Sequence, residues 1–369
     1  MPVPSTGSHS TLLDGVVCRD RGRMRMDLTG LPAVFLTSEA AVERLDGRRL
    51  KTALTAGEVL RLGRGVFADP RRWPPDPVER HTMLALASLR TVDGCALSHV
   101  SAALSHGFPN PRGTLPRPSV TVDDHVRSRS PGSWMTLYRG ELPQGHVETV
   151  GGMRRTVAAR TVVDSARHLS LGDGLAIADA AVRAGATTAE AVRDLREFER
   201  RWPGSLRTEQ VLRLLDPRRE GWLESWSAAA FHRMELPRWI PQVNVHDAHD
   251  RFLGRVDGYW PELGVAAEAD GRGKYLGDVD PALDRSPDAV AERVLAAGER
   301  EVGLRATGLG VVRWTTDEIT RHQLRVNARW LGEVRRTDPR GIRATLTCSC
   351  CQVPVTSCDI GAVFFPRAA

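Results

Sequence analysis

Three carboxylates stand in a short stretch of alternating sequence, Asp257 in RVDGYW and Glu268 and Asp270 in VAAEADG, separated by a loop holding Pro261 and Gly264. Alternation predicts two strands, and the loop residues supply turn chemistry between them. A loop centred between Glu262 and Leu263 sets Asp257 opposite Glu268, with Cβ atoms roughly 5 Å apart. Asp270 shares the face of Glu268, while Val265, Ala267 and Ala269 form the opposite, apolar face. Like charges this close raise one another's pKa unless a cation offsets them, and a divalent ion held by carboxylate oxygens is the usual resolution. Asp257, Glu268 and Asp270 are therefore the candidate metal ligands, with Mg²⁺ or Mn²⁺ as the ion. Lys274 follows Asp270 beyond Gly271 and Gly273, placed to offset charge or position an attacking water. Glu224 adds an acidic group from the helical pattern GWLESWSAAAFHRM just upstream. The alternative is an exposed acidic hairpin with Arg272 and Lys274 as surface partners, which contributes little energetically. No HExxH, G-x-S-x-G or P-loop pattern is present.

A second group of residues suits anionic partners. The formal charge is +6 and the pI near 9.3, and of 51 basic residues only Lys51 and Lys274 are lysine. In residues 37–70 a helix opening at Thr37 or Ser38, a second helix from Gly47 to Ala56 and a Gly-closed hairpin give the outline of a winged helix-turn-helix. Arg48, Arg49, Lys51, Arg61 and Arg64 are its candidate nucleic-acid contacts. A small helical packing module with a solvated basic face fits the same pattern.

Stepping outward, residues 1–36 lack periodicity and read as a flexible leader. Residues 75–215 read as an α+β connecting domain: a helix from His81, a helical run CALSHVSAALSHGFP, a small antiparallel sheet at 119–122, 135–138 and 147–150, and two amphipathic helices across Arg160 to Gly185. His99 and His106 fall on one helical face without a third ligand. After the carboxylate hairpin come an amphipathic helix from Asp288 to Leu304, with Arg300 and Glu301 on its polar side, the strand LGVVRWT and a helix from about Asp317 to Leu331. Residues 332–369 read as an irregular tail. Its Cys348, Cys350, Cys351 and Cys358 lack the paired C-x2-C spacing of zinc sites, so no metal is expected there. No apolar run reaches the roughly 18 residues that span a bilayer, which excludes a membrane partner and makes a cytoplasmic location the expectation.

LESW in a helix, then RVDGYWPE, AEADGRGKY and GEREVGLRATGLGVVRW, together resemble the PD-(D/E)XK nuclease superfamily, and within it the very-short-patch-repair-like endonuclease domain. The N-terminal LRLGRGVFADP, with ALSHVSAALSHGFP and RTVVDSA, is similar to AbiEi-type antitoxin and transcriptional-regulator proteins, whose N-terminal part is a winged helix. The resemblance implies an α/β class, α+β overall, with a restriction-endonuclease-like α-β-β-β-α-β-α core over 220–331. It implies that Asp257 and Glu268 bind Mg²⁺, that Glu224 assists and that Lys274 is the lysine of phosphodiester hydrolysis. Two departures stand out: Asp270 occupies the position of the family's lysine, and Gly258 replaces a bulky residue. The expected function is a DNA-binding, metal-dependent endonuclease. The alternative is a non-catalytic regulator or antitoxin with a toxin protein as partner, and RNA is a further possible substrate.

Overall fold

The computed structural model describes residues 26–126, 133–271, 284 and 286–358. Over these the protein is mixed α/β, with twelve α-helices and three sheets, and divides into two compact units at Trp73 and Pro74. Among the described residues no helix is long and apolar enough to cross a membrane.

The first unit holds β1 (Val34–Leu36), α1 (Thr37–Val42), α2 (Gly47–Thr55), β2 (Leu60–Gly63) and β3 (Val66–Ala68), with sheet order β1-β3-β2. The expected helix, helix and hairpin are present. The start of order is not where the sequence suggested: Leu28 and Leu31 are buried with Phe35, Leu50 and Phe67, and β1 completes the sheet. The leader therefore loses its last residues to the core, because the hairpin alone leaves Phe67 without apolar cover. The first helix is entered from Leu36, whose N–H donates to Glu39 Oε2 at 2.8 Å. Asp46 caps α2 by accepting from Arg49 N.

The second unit begins with α3 (Pro77–Thr91), β4 (Ala96–Leu97), α4 (His99–Ser105), β5 (Ser119–Val122), β6 (Thr136–Arg139), β7 (Val147–Val150) and β8 (Met153–Thr156). The expected small antiparallel sheet is mixed: its order is β6-β5-β4-β8-β7, with β5–β6 and β4–β8 parallel. The run from Cys95, helical in spacing, contributes β4 before its helix, and His99 starts α4 with φ of 51°, its ring stacked on Tyr138. His106 instead bonds the Thr156 carbonyl, so the two imidazoles serve packing separately.

Helices α5 (Ala158–His168), α6 (Leu171–Arg183), α7 (Ala189–Phe198), α8 (Ser205–Leu214) and α9 (Trp222–Arg233) follow. They pack into one apolar core that runs from Ala103 and Val162 through Phe231 to Trp314 and Trp330. Residues 75–215 and 220–331 are thus not separate domains. Asp179 of α6 pins α9 directly, accepting from Ser225 Oγ at 2.7 Å while paired with the buried Arg219.

The last sheet holds β9 (Ile240–His246), β10 (Phe252–Trp260), β11 (Val265–Asp270), β12 (Gly310–Thr315) and β13 (Thr345–Cys348), in order β12-β11-β10-β9-β13. Helix α10 (Pro287–Ala306) connects β11 to β12, which pair in parallel as a helical crossover requires. One long helix was expected after β12; the chain forms α11 (Thr316–Arg321) and α12 (Gln323–Arg336), broken at His322. Nor is 332–369 wholly irregular. α12 reaches Arg336, β13 adds an edge strand to β9, and Val355 enters the core on the α10 side. Trp260, Val265, Ala267, Ala269, Val312 and Trp314 face α9, α11 and α12, while Ala266 and Val311 face Leu304 of α10.

Candidate functional site

The β10–β11 hairpin has the register that its turn chemistry implies: Trp260 faces Val265, Tyr259 faces Ala266 and Gly258 faces Ala267. Asp257 and Glu268 stand one residue beyond the last of these pairs, on the neighbouring strands β10 and β11. There the backbone ladder ends, and the Asp257 carboxylate takes over its role, its Oδ2 accepting the Ala269 N–H at 2.7 Å. On the other side β9 pairs Val256 with Val243 and Gly258 with Pro241, so Gln242 is the neighbour of Asp257. Parallel β12 sets Arg313 beside Glu268. Gln242 and Asp257 thus neighbour each other on β9 and β10, and Glu268 on β11 neighbours Arg313 on the edge strand β12.

Gly258 is set by the packing beneath it. A Cβ there would lie 2.1 Å from Trp239 Cε3, inside the aromatic cluster of Trp239, Trp260, Trp314 and Phe231. The indole leaves no room for a side chain at this position.

Glu224 lies in the first turn of α9, buried, with its Oε2 accepting from Gln242 Nε2 at 2.8 Å and from Glu220 N at 3.1 Å. Burial, then the charge of Asp257, pushes its carboxyl up to about 8. The group therefore holds its proton at neutral pH while hydrogen-bonded to the neighbour of Asp257.

The cations that answer the other two carboxylates are arginines. Arg300 of α10 places Nη2 at 2.6 Å from Oε2 of the buried Glu268. Arg313 grips Asp270 through Nε at 2.8 Å and Nη2 at 3.1 Å, and reaches Glu301 at 3.2 Å. This corrects two expectations. Arg300 and Glu301 turn toward the sheet rather than to a solvated face, while Val294, Leu295 and Val302 of the same helix are exposed. Asp270 is held by a bidentate guanidinium instead of converging with Asp257 and Glu268, and among the described residues no three carboxylates bring oxygens together as a metal site. Asp257 and Glu268 remain as hard oxygen donors on neighbouring strands, of the kind that Mg²⁺ takes, one or two carboxylates with water and phosphate filling its octahedron. Lys274 lies outside the described residues, as does Arg272.

Gln242, Arg300 and Arg313 escaped the sequence reading. Arg313 carried a signal, as the one charge inside the apolar strand LGVVRWT. Arg300 had none, because its neighbours alternate in charge like any solvated helix face.

In the first unit Arg48, Arg49 and Lys51 on α2 and Arg61 and Arg64 on the β2–β3 hairpin are all exposed. Leu50 and Ala53 bury the opposite side of α2, which leaves Arg48, Lys51 and Thr52 along one solvent-facing stripe. At the other end of the chain, the sulfurs of Cys348, Cys350, Cys351 and Cys358 all lie within 4.8 Å of one another, against the expectation from their spacing.

No protein-family model matches the chain, and no curated protein matches it. Among solved structures, the crystal structure of the RV2827C protein from Mycobacterium tuberculosis is similar at a TM-score of 0.34 and 13% identity, over 57% of this chain and 78% of that one.

Proposed function

We propose that this chain binds DNA and hydrolyses phosphodiester bonds at the β10–β11 hairpin with Mg²⁺ or Mn²⁺. The observation that carries the reading is the placement of Asp257 and Glu268 on adjoining interior strands, with the Asp257 carboxylate bonded to the Ala269 N–H and its charge felt by the buried Glu224. Asp257 and Glu268 would hold the ion, whose chemistry is to polarise the phosphoryl group and lower the pKa of a bound water. Glu224 keeps a proton at neutral pH, so the site carries less repulsion than three ionised carboxylates. Arg300 shares Glu268 and lends a positive charge beside the place where a phosphate would sit. Lys274 retains the role the resemblance implies, and the exposed cations of α2 and its hairpin supply phosphate contacts.

The test is incubation of supercoiled DNA with the purified chain and Mg²⁺ or Mn²⁺, wild type against Asp257→Asn. Nicking should fall by on the order of a hundredfold or more in the variant. Equal nicking by both proteins would reject the site.

A non-catalytic regulator or antitoxin, with a toxin protein as partner, is the second reading. It is favoured by the ion pairs of Arg300 with Glu268 and Arg313 with Asp270, which offset carboxylate charge within the protein. It calls for DNA binding without cleavage, and for no Mg²⁺ heat signal that Glu268→Gln abolishes.

A further inference from the structure

We propose that Cys348, Cys350, Cys351 and Cys358 bind one Zn²⁺ as a tetrathiolate that fastens the C-terminal segment to the edge of the last sheet. Their spacing, C-x-C-C-x6-C, is unlike paired zinc motifs, yet the fold brings the four sulfurs within 4.8 Å of one another. Cys348 and Cys350 sulfurs are 2.8 Å apart, and Cys350 and Cys358 sulfurs 3.4 Å. A tetrahedron with Zn–S bonds of about 2.3 Å has an edge of roughly 3.8 Å, longer than these two separations and shorter than the 4.8 Å limit on all of them.

The backbone is shaped for this convergence. Cys348 ends β13, and its N–H and carbonyl close a tight loop with Val353 O at 2.8 Å and Gln352 N at 2.9 Å. Gln352 turns the chain with φ of 60°, and a 3-10 turn over Val355–Ser357 delivers Cys358. Cys348 and Cys358 are buried, while Cys350 and Cys351 are exposed, so the centre is anchored yet open to an entering ion. None of the four is joined in a disulfide.

The donor set decides the ion. Four sulfurs without a carboxylate or imidazole select a soft or borderline metal in tetrahedral geometry, and zinc is the redox-inert choice. Each coordinating sulfur gives up its proton to solvent on binding. Two neighbours act on these sulfurs in the sense that favours negative charge: the Val353 backbone on Cys351 and the Arg218 guanidinium on Cys348.

The centre is coupled to the carboxylate site through one residue. Ser349, inside the cysteine loop, donates its N–H to the Gln242 carbonyl at 3.2 Å, and the Gln242 side chain holds Glu224. Gln242 itself has φ of 55°, a conformation that needs support from its surroundings. The ion would therefore act as a positioning element for β9.

The full-length chain, purified under reducing conditions, should contain one zinc per chain by elemental mass spectrometry. Exchange with Co²⁺ should produce intense sulfur-to-cobalt charge-transfer absorption and tetrahedral ligand-field bands. Both signals should be lost in Cys350→Ser and in Cys351→Ser, whose exposure leaves the core intact, and kept in Cys95→Ser. Absence of bound zinc together with no cobalt spectrum in the reduced wild type would overturn the proposal, whatever the variants do. So would iron in place of zinc, disulfides among the four cysteines by mass spectrometry, or unchanged metal content in Cys350→Ser.

Discussion

Arg300 and Glu268 form the tightest contact at the carboxylate site, with Nη2 2.6 Å from Oε2 and the carboxylate only 2% exposed. The pair brings the helix that follows the hairpin into the site, and it explains how Glu268 can be buried with no lysine two residues on. Removing the guanidinium leaves a buried carboxylate short of its partner. Arg300→Ala should therefore cost about 1–3 kcal/mol in stability without metal. If Glu268 binds Mg²⁺, millimolar Mg²⁺ should restore part of that loss, and thermal melts with and without the ion measure both effects.

Glu224 makes the stability of the protein depend on pH. Its folded value of about 8 stands above the ordinary 4.5, so the folded chain keeps a proton that the unfolded chain has lost between those values. The contribution is fully present below about pH 4.5 and is lost as pH rises through 8. Urea denaturation should show this part of the stability falling by on the order of a few kcal/mol over that window. Glu224→Gln, which carries no titrating group, should flatten the dependence.

Gly258 tests the packing behind the site. A methyl group there meets the Trp239 ring at 2.1 Å, and the indole is wedged against Trp260 and Trp314. Gly258→Ala should destabilise by about 1–3 kcal/mol through overpacking. Chemical denaturation followed by tryptophan fluorescence reads the loss and the displaced indole together.

The exposed cations of α2 predict a salt signature. If Arg48 and Arg49 each neutralise one phosphate, Arg48→Ala with Arg49→Ala should lower the slope of log affinity against log salt by about 2. Fluorescence anisotropy on duplex DNA across a salt series checks this. An unchanged slope would place the DNA surface elsewhere.

Much of the candidate site was legible before folding was considered. Alternation, Pro261 and Gly264 define the hairpin locally, and a turn of known length determines which residues face each other, so the pairs from Trp260 and Val265 to Gly258 and Ala267 follow from sequence alone. Helical spacing likewise defines α2, α9 and α10. What the tertiary structure decided are contacts between residues far apart in the chain. Arg300 meets Glu268 across 32 positions and Arg313 meets Asp270 across 43, because α10 docks with one particular rotation and β12 pairs in parallel. No local pattern encodes that rotation; it is chosen by which apolar side chains interlock beneath the helix. The same holds for β13, which finds β9 about a hundred residues away, and for the four cysteines. Their spacing looked wrong for a metal only because the loop that gathers their sulfurs forms against the edge of that sheet.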